Sequence, residues 1–210
     1  MSEAVAEALL DIGAVGFSPT EPITFKSGIV SPVYVDNRKL PYHPKQWRIV
    51  VEQMKVTVET LANEADIIAG VAVGGVPHSS ALGYALERPS VFVRKEAKGH
   101  GKGKRVEGGD IVGKRVLLVE DLVTTGGSSL SGVEALRVEG AIVEQMIAIV
   151  SYGFQEAREA FVSAGVTLCN LTEFETILDV ALARGMFDEA QQAIIRDWFD
   201  DPHGWASRHF

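Results

Sequence analysis

Val116-Leu-Leu-Val-Glu-Asp-Leu-Val-Thr-Thr-Gly-Gly-Ser128 is the stretch on which the reading of this chain turns. Its four apolar residues, 116–119, read as a strand buried on both faces, because parallel strands covered by helices lose the alternating pattern. Glu120 and Asp121 sit where that strand emerges. Thr124-Thr125-Gly126-Gly127-Ser128 follows, and an apolar helical spacing then resumes at Leu130, Val133 and Leu136. A glycine turn feeding a helix start offers backbone N–H groups and the positive end of the helix dipole, and its natural guest is a phosphate. Two acids beside it suit sugar hydroxyls or a phosphate-bound cation, so the stretch suits a sugar phosphate. The spacing G-x-x-x-x-G-K-[ST] is absent, and Gly126-Gly127 does not give G-x-G-x-x-G. The plainer alternative is an ordinary strand-to-helix turn capped by the side chain of an Asp or Ser.

Outward from that stretch, strands and helices alternate. Strands are expected at 67–73, 91–93, 116–119, 143–150 and 166–171, and helices at 76–86, 129–138 and 155–164. Such alternation gives an α/β fold, a central mostly parallel sheet flanked by helices. Residues 4–12 and 47–62 read as further helices, the second with Ile49, Val50, Met54, Val58 and Leu61 near one face. The five prolines in 19–44 give extended segments and turns. Helices at 174–183 and 187–199 close the chain. The whole is expected to be one domain over 1–210: a small N-terminal hood and base-binding segment to about 45, a core over 46–172, and C-terminal helices over 173–210.

Composition limits the function. The 210 residues are 46% hydrophobic and 23% charged, ordinary for a globular protein. A net charge of −8 argues against general affinity for nucleic acid. No apolar run approaches a membrane span of roughly 20 residues, and the acidic start (Glu3, Glu7) is unlike a signal peptide. The single cysteine, Cys169, asks for no oxidising compartment and reads as core. The expected setting is cytoplasmic, with small molecules as substrates.

Three further segments stand out. Arg94-Lys-Glu-Ala-Lys-Gly-His-Gly-Lys-Gly-Lys-Arg105 holds six of the chain's 20 Lys and Arg residues, where an even spread would place about one. With glycines at 99, 101 and 103, a basic loop in an acidic protein makes sense if it closes over a polyanion and excludes water. Thr24-Phe-Lys-Ser-Gly-Ile-Val-Ser-Pro-Val-Tyr-Val-Asp-Asn-Arg38 looks like a binding hairpin. Ile68-Ala-Gly-Val-Ala-Val-Gly-Gly-Val-Pro77 is a second buried strand, ending in a glycine turn with Pro77 near a helix start. His78 reads as a helix residue against the sheet. His43, His203 and His209 lack metal spacing, and Trp47 and Trp198 read as core or dimer contacts.

The Glu120–Ser128 segment resembles the 5-phosphoribosyl 1-pyrophosphate (PRPP) motif of the type I phosphoribosyltransferases. The loop from Arg94 to His100 and the segment Lys26-Ser-Gly…Ser31-Pro resemble the orotate branch in particular. The resemblance implies transfer of ribose 5-phosphate from PRPP to orotate, giving orotidine 5′-monophosphate and pyrophosphate in pyrimidine synthesis. It implies that Leu122, Val123, Thr124, Thr125, Gly126, Gly127 and Ser128 bind PRPP, with Thr124 to Ser128 wrapping the 5′-phosphate, and that Glu120 and Asp121 hold the ribose hydroxyls. Arg94, Lys95, Lys98 and His100 would act on the pyrophosphate, Lys98 as chief catalytic cation, with Lys95 reaching a partner's site in a homodimer that shares its lids. Thr124, Lys26, Tyr34 and Val35 would line the orotate pocket. Mg²⁺ would be the cofactor, held mainly through PRPP and not by side chains. Two departures bear on this. A Tyr-Lys pair found in some members is replaced by Val73-Gly74, and Ser151-Tyr-Gly-Phe154 stands where others carry an orotate-contacting arginine. Transfer to another nucleobase, or a PRPP-sensing regulator without catalysis, are the alternative readings.

Overall fold

The computed structural model describes residues 2–18, 20–25, 28–62, 64–96 and 104–210. In chain order the elements are α1 (Ser2–Asp11), β1 (Val15–Phe17), β2 (Ile23–Thr24), β3 (Val30–Ser31), β4 (Val33–Val35), a 3₁₀ helix (Asn37–Tyr42), α2 (Pro44–Leu61), β5 (Ile67–Val71), α3 (Gly75–Ala85), β6 (Ser90–Val93), β7 (Val106–Glu107), β8 (Val116–Val123), α4 (Gly127–Val138), β9 (Gln145–Ser151), α5 (Gln155–Ser163), β10 (Thr167–Glu173), α6 (Phe174–Ala183), α7 (Glu189–Asp200) and α8 (Trp205–His209).

Six strands form one sheet in the order β10-β9-β8-β5-β6-β7, parallel except for the antiparallel edge strand β7. Along β8, Leu117 and Val119 enter one core, with Val50, Met54, Leu82 and Ile149. Val116 and Leu118 enter the other, with Val133, Leu136, Met146 and Phe161. Burial on both faces explains the continuous apolar run. The strand order reverses between β5 and β8, since the chain winds outward from that pair in both directions. In open α/β sheets ligands bind beyond the carboxyl ends of the strands at such a reversal, which here places Val73–Gly75 opposite Glu120 and Asp121.

The hood consists of α1 and two small antiparallel pairs, β1 with β4 and β2 with β3. An aromatic cluster ties it to the body: Phe25 meets Tyr152 and Trp198, and the Trp198 indole N–H donates to the Val30 carbonyl at 2.8 Å. Trp205 is fully buried, with α8 against β3.

Several expectations need correction. Directly after the basic stretch 94–105, where no strand was expected, Val106–Glu107 form β7, which pairs with β6. β8 continues to Val123, so Glu120 and Asp121 lie within the strand and not beyond it. On α2, Val50, Met54 and Val58 are buried, but Ile49 and Leu61 are exposed.

Candidate active site

Strand alternation sends consecutive side chains of β8 to opposite faces. Glu120 turns toward α4, where the Ser129 hydroxyl donates to its Oε2 at 3.4 Å, and its Oε1 accepts the Asp121 backbone N–H at 3.3 Å. Asp121 turns toward the start of α3, so closely that a Cβ on Gly74 would fall on its carboxylate. Burial raises the Glu120 pKa far above the ordinary carboxyl range, and the neighbouring Asp121 charge adds to this. Burial raises Asp121 too, opposed by hydrogen bonds from its surroundings and by the Arg38 charge. Two desolvated acids at a strand end hold an unfavourable arrangement that sugar hydroxyls or a cation would relieve.

The turn after β8 bears on the two readings of this stretch. Gly126 holds φ 84°, a left-handed conformation open to glycine, and no side chain caps α4. The side-chain cap of the plainer reading is therefore not formed. Thr124 and Thr125 are half-buried, and Gly127 and Ser128 are exposed at the helix start. The N-terminal N–H groups of this 12-residue helix form an anion seat. Leu122 and Val123 instead place their side chains in the two cores, paired with Val150 and Ser151 of β9.

The second glycine turn sits across the sheet reversal. A Cβ on Gly75 would fall on the Val119 carbonyl oxygen and lie 3.3 Å from Glu120 Cα. Backbone is the obstacle, so Gly75→Ala should cost about 1–3 kcal/mol or more, lowering Tm by roughly 2–12 °C. It should also impair turnover by displacing Glu120. Thermal melts and initial rates on one preparation would check both. An unchanged Tm would mean that the two turns do not touch.

The hood reaches the same strand end. Asn37, almost fully buried, donates from Nδ2 to the Asp121 carbonyl at 2.5 Å, while its Oδ1 is buried without a partner. Asp36 accepts from Arg38 Nε at 2.6 Å, and Tyr34 Oη accepts from Arg38 Nη2 at 3.3 Å. Val35 is buried against Val15. Sequence reasoning missed Asn37, although its place beside Asp36 in a suspected binding hairpin was a usable signal.

At the other flank, the ends of the basic loop are tied down. The Arg94 N–H donates to Arg105 O at 2.8 Å, Arg105 Nε returns the bond to Arg94 O at 2.8 Å, and Glu139 accepts the N–H groups of Arg105 and Val106. The Arg94 guanidinium lies 3.3 Å from Glu107. Lys95, Arg105, Ser128 and Ser131 line a cavity of about 290 Å³, which joins this loop root to the α4 start. Lys98 and His100 of the loop, and Lys26 of the hairpin, lie outside the described residues.

The remaining singled-out residues are structural. His78 is fully buried and accepts the Trp47 indole N–H on Nδ1 at 3.0 Å; burial pushes its pKa down to about 4. Cys169 is half-buried, and burial raises its thiol pKa. His209 lies on Asp197 at 2.7 Å. Among the described residues no group of three or more His, Cys, Asp or Glu could hold a metal, and no helix is long and apolar enough to cross a membrane.

An uncapped helix start, two buried acids and a basic flank thus meet around one sheet reversal, and comparison with known proteins gives the family. Residues 40–183 fit the phosphoribosyl transferase domain. The orotate phosphoribosyltransferase of Bacillus caldolyticus is 39% identical over 207 residues, covering 99% of this chain and 100% of the relative. This chain belongs to the orotate phosphoribosyltransferase family. Family structures agree. The orotate phosphoribosyltransferase of Aeropyrum pernix superposes with a TM-score of 0.74 at 32% identity, covering 86% of this chain and 99% of that one. Leishmania donovani UMP synthase gives 0.82 at 28% identity and covers 95% of this chain, which spans 42% of that longer protein.

Proposed function

We propose that the protein transfers ribose 5-phosphate from PRPP to orotate, releasing pyrophosphate and giving orotidine 5′-monophosphate for pyrimidine synthesis. The observation that carries this reading is the uncapped α4 start, with Glu120 and Asp121 one turn away at the sheet reversal. The anion seat takes the 5′-phosphate through Thr124–Ser128, and the paired acids take the ribose 2′ and 3′ hydroxyls. Thr124, Lys26, Tyr34 and Val35 form the base pocket under the hood. Arg94, Lys95, Lys98 and His100 face the pyrophosphate.

Breaking the bond from C1′ to pyrophosphate builds positive charge on the ribose and negative charge on the leaving group, as in glycoside cleavage. The acids stabilise the first charge through the hydroxyls they hold, and the basic flank stabilises the second. No covalent nucleophile is needed. Mg²⁺ fits this site: it would be held mainly through hard PRPP oxygens, with Glu120 and Asp121 nearby as buried acids whose raised pKa values a cation would relieve. When bound it supplies charge neutralisation on the pyrophosphate.

Following orotate absorbance in the presence of PRPP and Mg²⁺ tests the reading, with adenine, hypoxanthine and uracil run in parallel. Loss of the orotate signal alone is the expected result, and turnover of a purine would overturn it. The reading includes a cytoplasmic homodimer in which Lys95 serves the partner's site. Mixing inactive Lys95→Ala and Asp121→Ala proteins should then restore part of the wild-type rate, because some mixed dimers hold one intact site. No recovery after subunit exchange would remove the shared lid.

A further inference from the structure

The segment Asp36-Asn37-Arg38 carries a charged pair that the transfer described above does not use. Asp36 is fixed by its backbone N–H on Ala14 O at 2.7 Å. Its carboxylate caps the 3₁₀ helix by accepting the Arg38 N–H at 3.2 Å and takes Arg38 Nε at 2.6 Å. Tyr34 Oη accepts from Nη2. An Asp–Arg pair whose arginine side chain is 62% exposed adds little stability. Two contacts that fix the guanidinium, with a third on the Arg38 backbone, do achieve something else: they preorganise a planar fork of donors, the geometry suited to a carboxylate. Nη1 has no protein partner among the described residues.

Position narrows the ligand. The 3₁₀ helix rests on β8 through the Asn37 tether, and the Arg38 charge is felt at the Asp121 carboxyl. Lys39, next along, is turned away to Gly13 O at 2.7 Å. Across the site Arg94 is engaged by Glu107, and Arg105 by Ser131 and Arg94 O. The cations thus divide into two flanks. The base must enter from the face of C1′ opposite the departing pyrophosphate, and the hood flank bearing Arg38 is opposite the loop root.

We propose that Arg38 is a specificity-determining residue that pairs with the carboxylate of the acceptor base, and that Asp36 is the positioning residue that aims it. This rests on the orotate reading. Orotidine 5′-monophosphate and uridine 5′-monophosphate differ only by that carboxylate, so their dissociation constants isolate the contact. Arg38→Gln should weaken orotidine 5′-monophosphate by about 10–100-fold, the range of a hydrogen-bonded charge contact, and leave uridine 5′-monophosphate within about twofold. Arg38→Lys should recover only part, and Asp36→Asn should show the same selectivity to a smaller degree. Retained uridine 5′-monophosphate binding shows that each variant is folded. Equal weakening of both nucleotides, or no change in either, overturns the role of Arg38. A wild-type protein that does not turn over orotate at all overturns the orotate reading, and this assignment with it.

Discussion

Replacing Glu120 by glutamine should have two opposite effects, a lower rate and a higher melting temperature. The rate should fall by about 10²–10³, the usual loss when a preorganised electrostatic contact to a transition state is removed. Glutamine keeps the shape and can accept from a sugar hydroxyl, but unlike Glu120 it has no proton to release when the donor binds, and so it cannot develop the charge that offsets the growing positive charge on the ribose. The stability gain follows from burial. The folded-state pKa of Glu120 lies well above its ordinary value of 4.5, first because the carboxyl is buried and second because Asp121 is beside it. The folded protein therefore keeps a proton that the unfolded chain has released, and stability falls as pH rises above about 4.5. Glutamine does not titrate, so the variant should gain on the wild type steadily from pH 5 to pH 8. Each tenfold displacement of the proton equilibrium is about 1.4 kcal/mol, which corresponds to roughly 3–6 °C in Tm for a chain of this length. Melts at several pH values without ligand, beside initial rates, measure both effects. A variant that melts lower than wild type at pH 8 would mean that Glu120 is a structural acid and not a strained functional one.

The same strand shows how much of the molecule was legible in the sequence. The run 116–119 announced a doubly covered parallel strand because burial on both faces leaves no polar positions, and the phosphate turn was visible in its glycines. The end of the strand was not, because β8 stays paired with β9 through Glu120, Leu122 and Val123, past the point where its side chains cease to be apolar. Two-residue strands such as β2, β3 and β7 carry too few side chains to show a period, and their pairing comes from tertiary contacts. Trp205 could not be placed from its neighbours, since its burial depends on β3, far away in the chain. The Asp36–Arg38 pair was hidden for another reason. Its geometry comes from a cap on a short 3₁₀ helix, and i,i+2 charges do not face each other on an α-helix. Asn37 was missed as Trp205 was: its partner is a backbone carbonyl of a distant strand, which no local pattern announces.

Lys98→Ala should bring the other large loss, about 10²–10³ or more in kcat, and the way that loss divides between kinetic constants is informative. Lys98 lies outside the described residues, so its role rests on the loop's composition, on family resemblance, and on where the described loop ends lead. Arg94 and Arg105 clasp each other at the root, and Lys95 opens onto the cavity shared with Ser128 at the phosphate seat. Among the described residues, the loop root thus adjoins the start of α4. Charge on pyrophosphate grows as the bond to C1′ breaks, so a cation aimed at it stabilises the transition state more than the ground state. The loss should therefore appear in kcat, with the KM for PRPP moving less than about threefold. Arg94→Ala should differ, because its guanidinium is already engaged by Glu107 and a smaller part of its charge is available to the leaving group. Steady-state kinetics with PRPP varied at saturating orotate separates the cases. If Lys98→Ala raised the PRPP KM by the full factor and left kcat untouched, the lysine would be a binding contact only, and the departure of pyrophosphate would have to be assisted from elsewhere in the site.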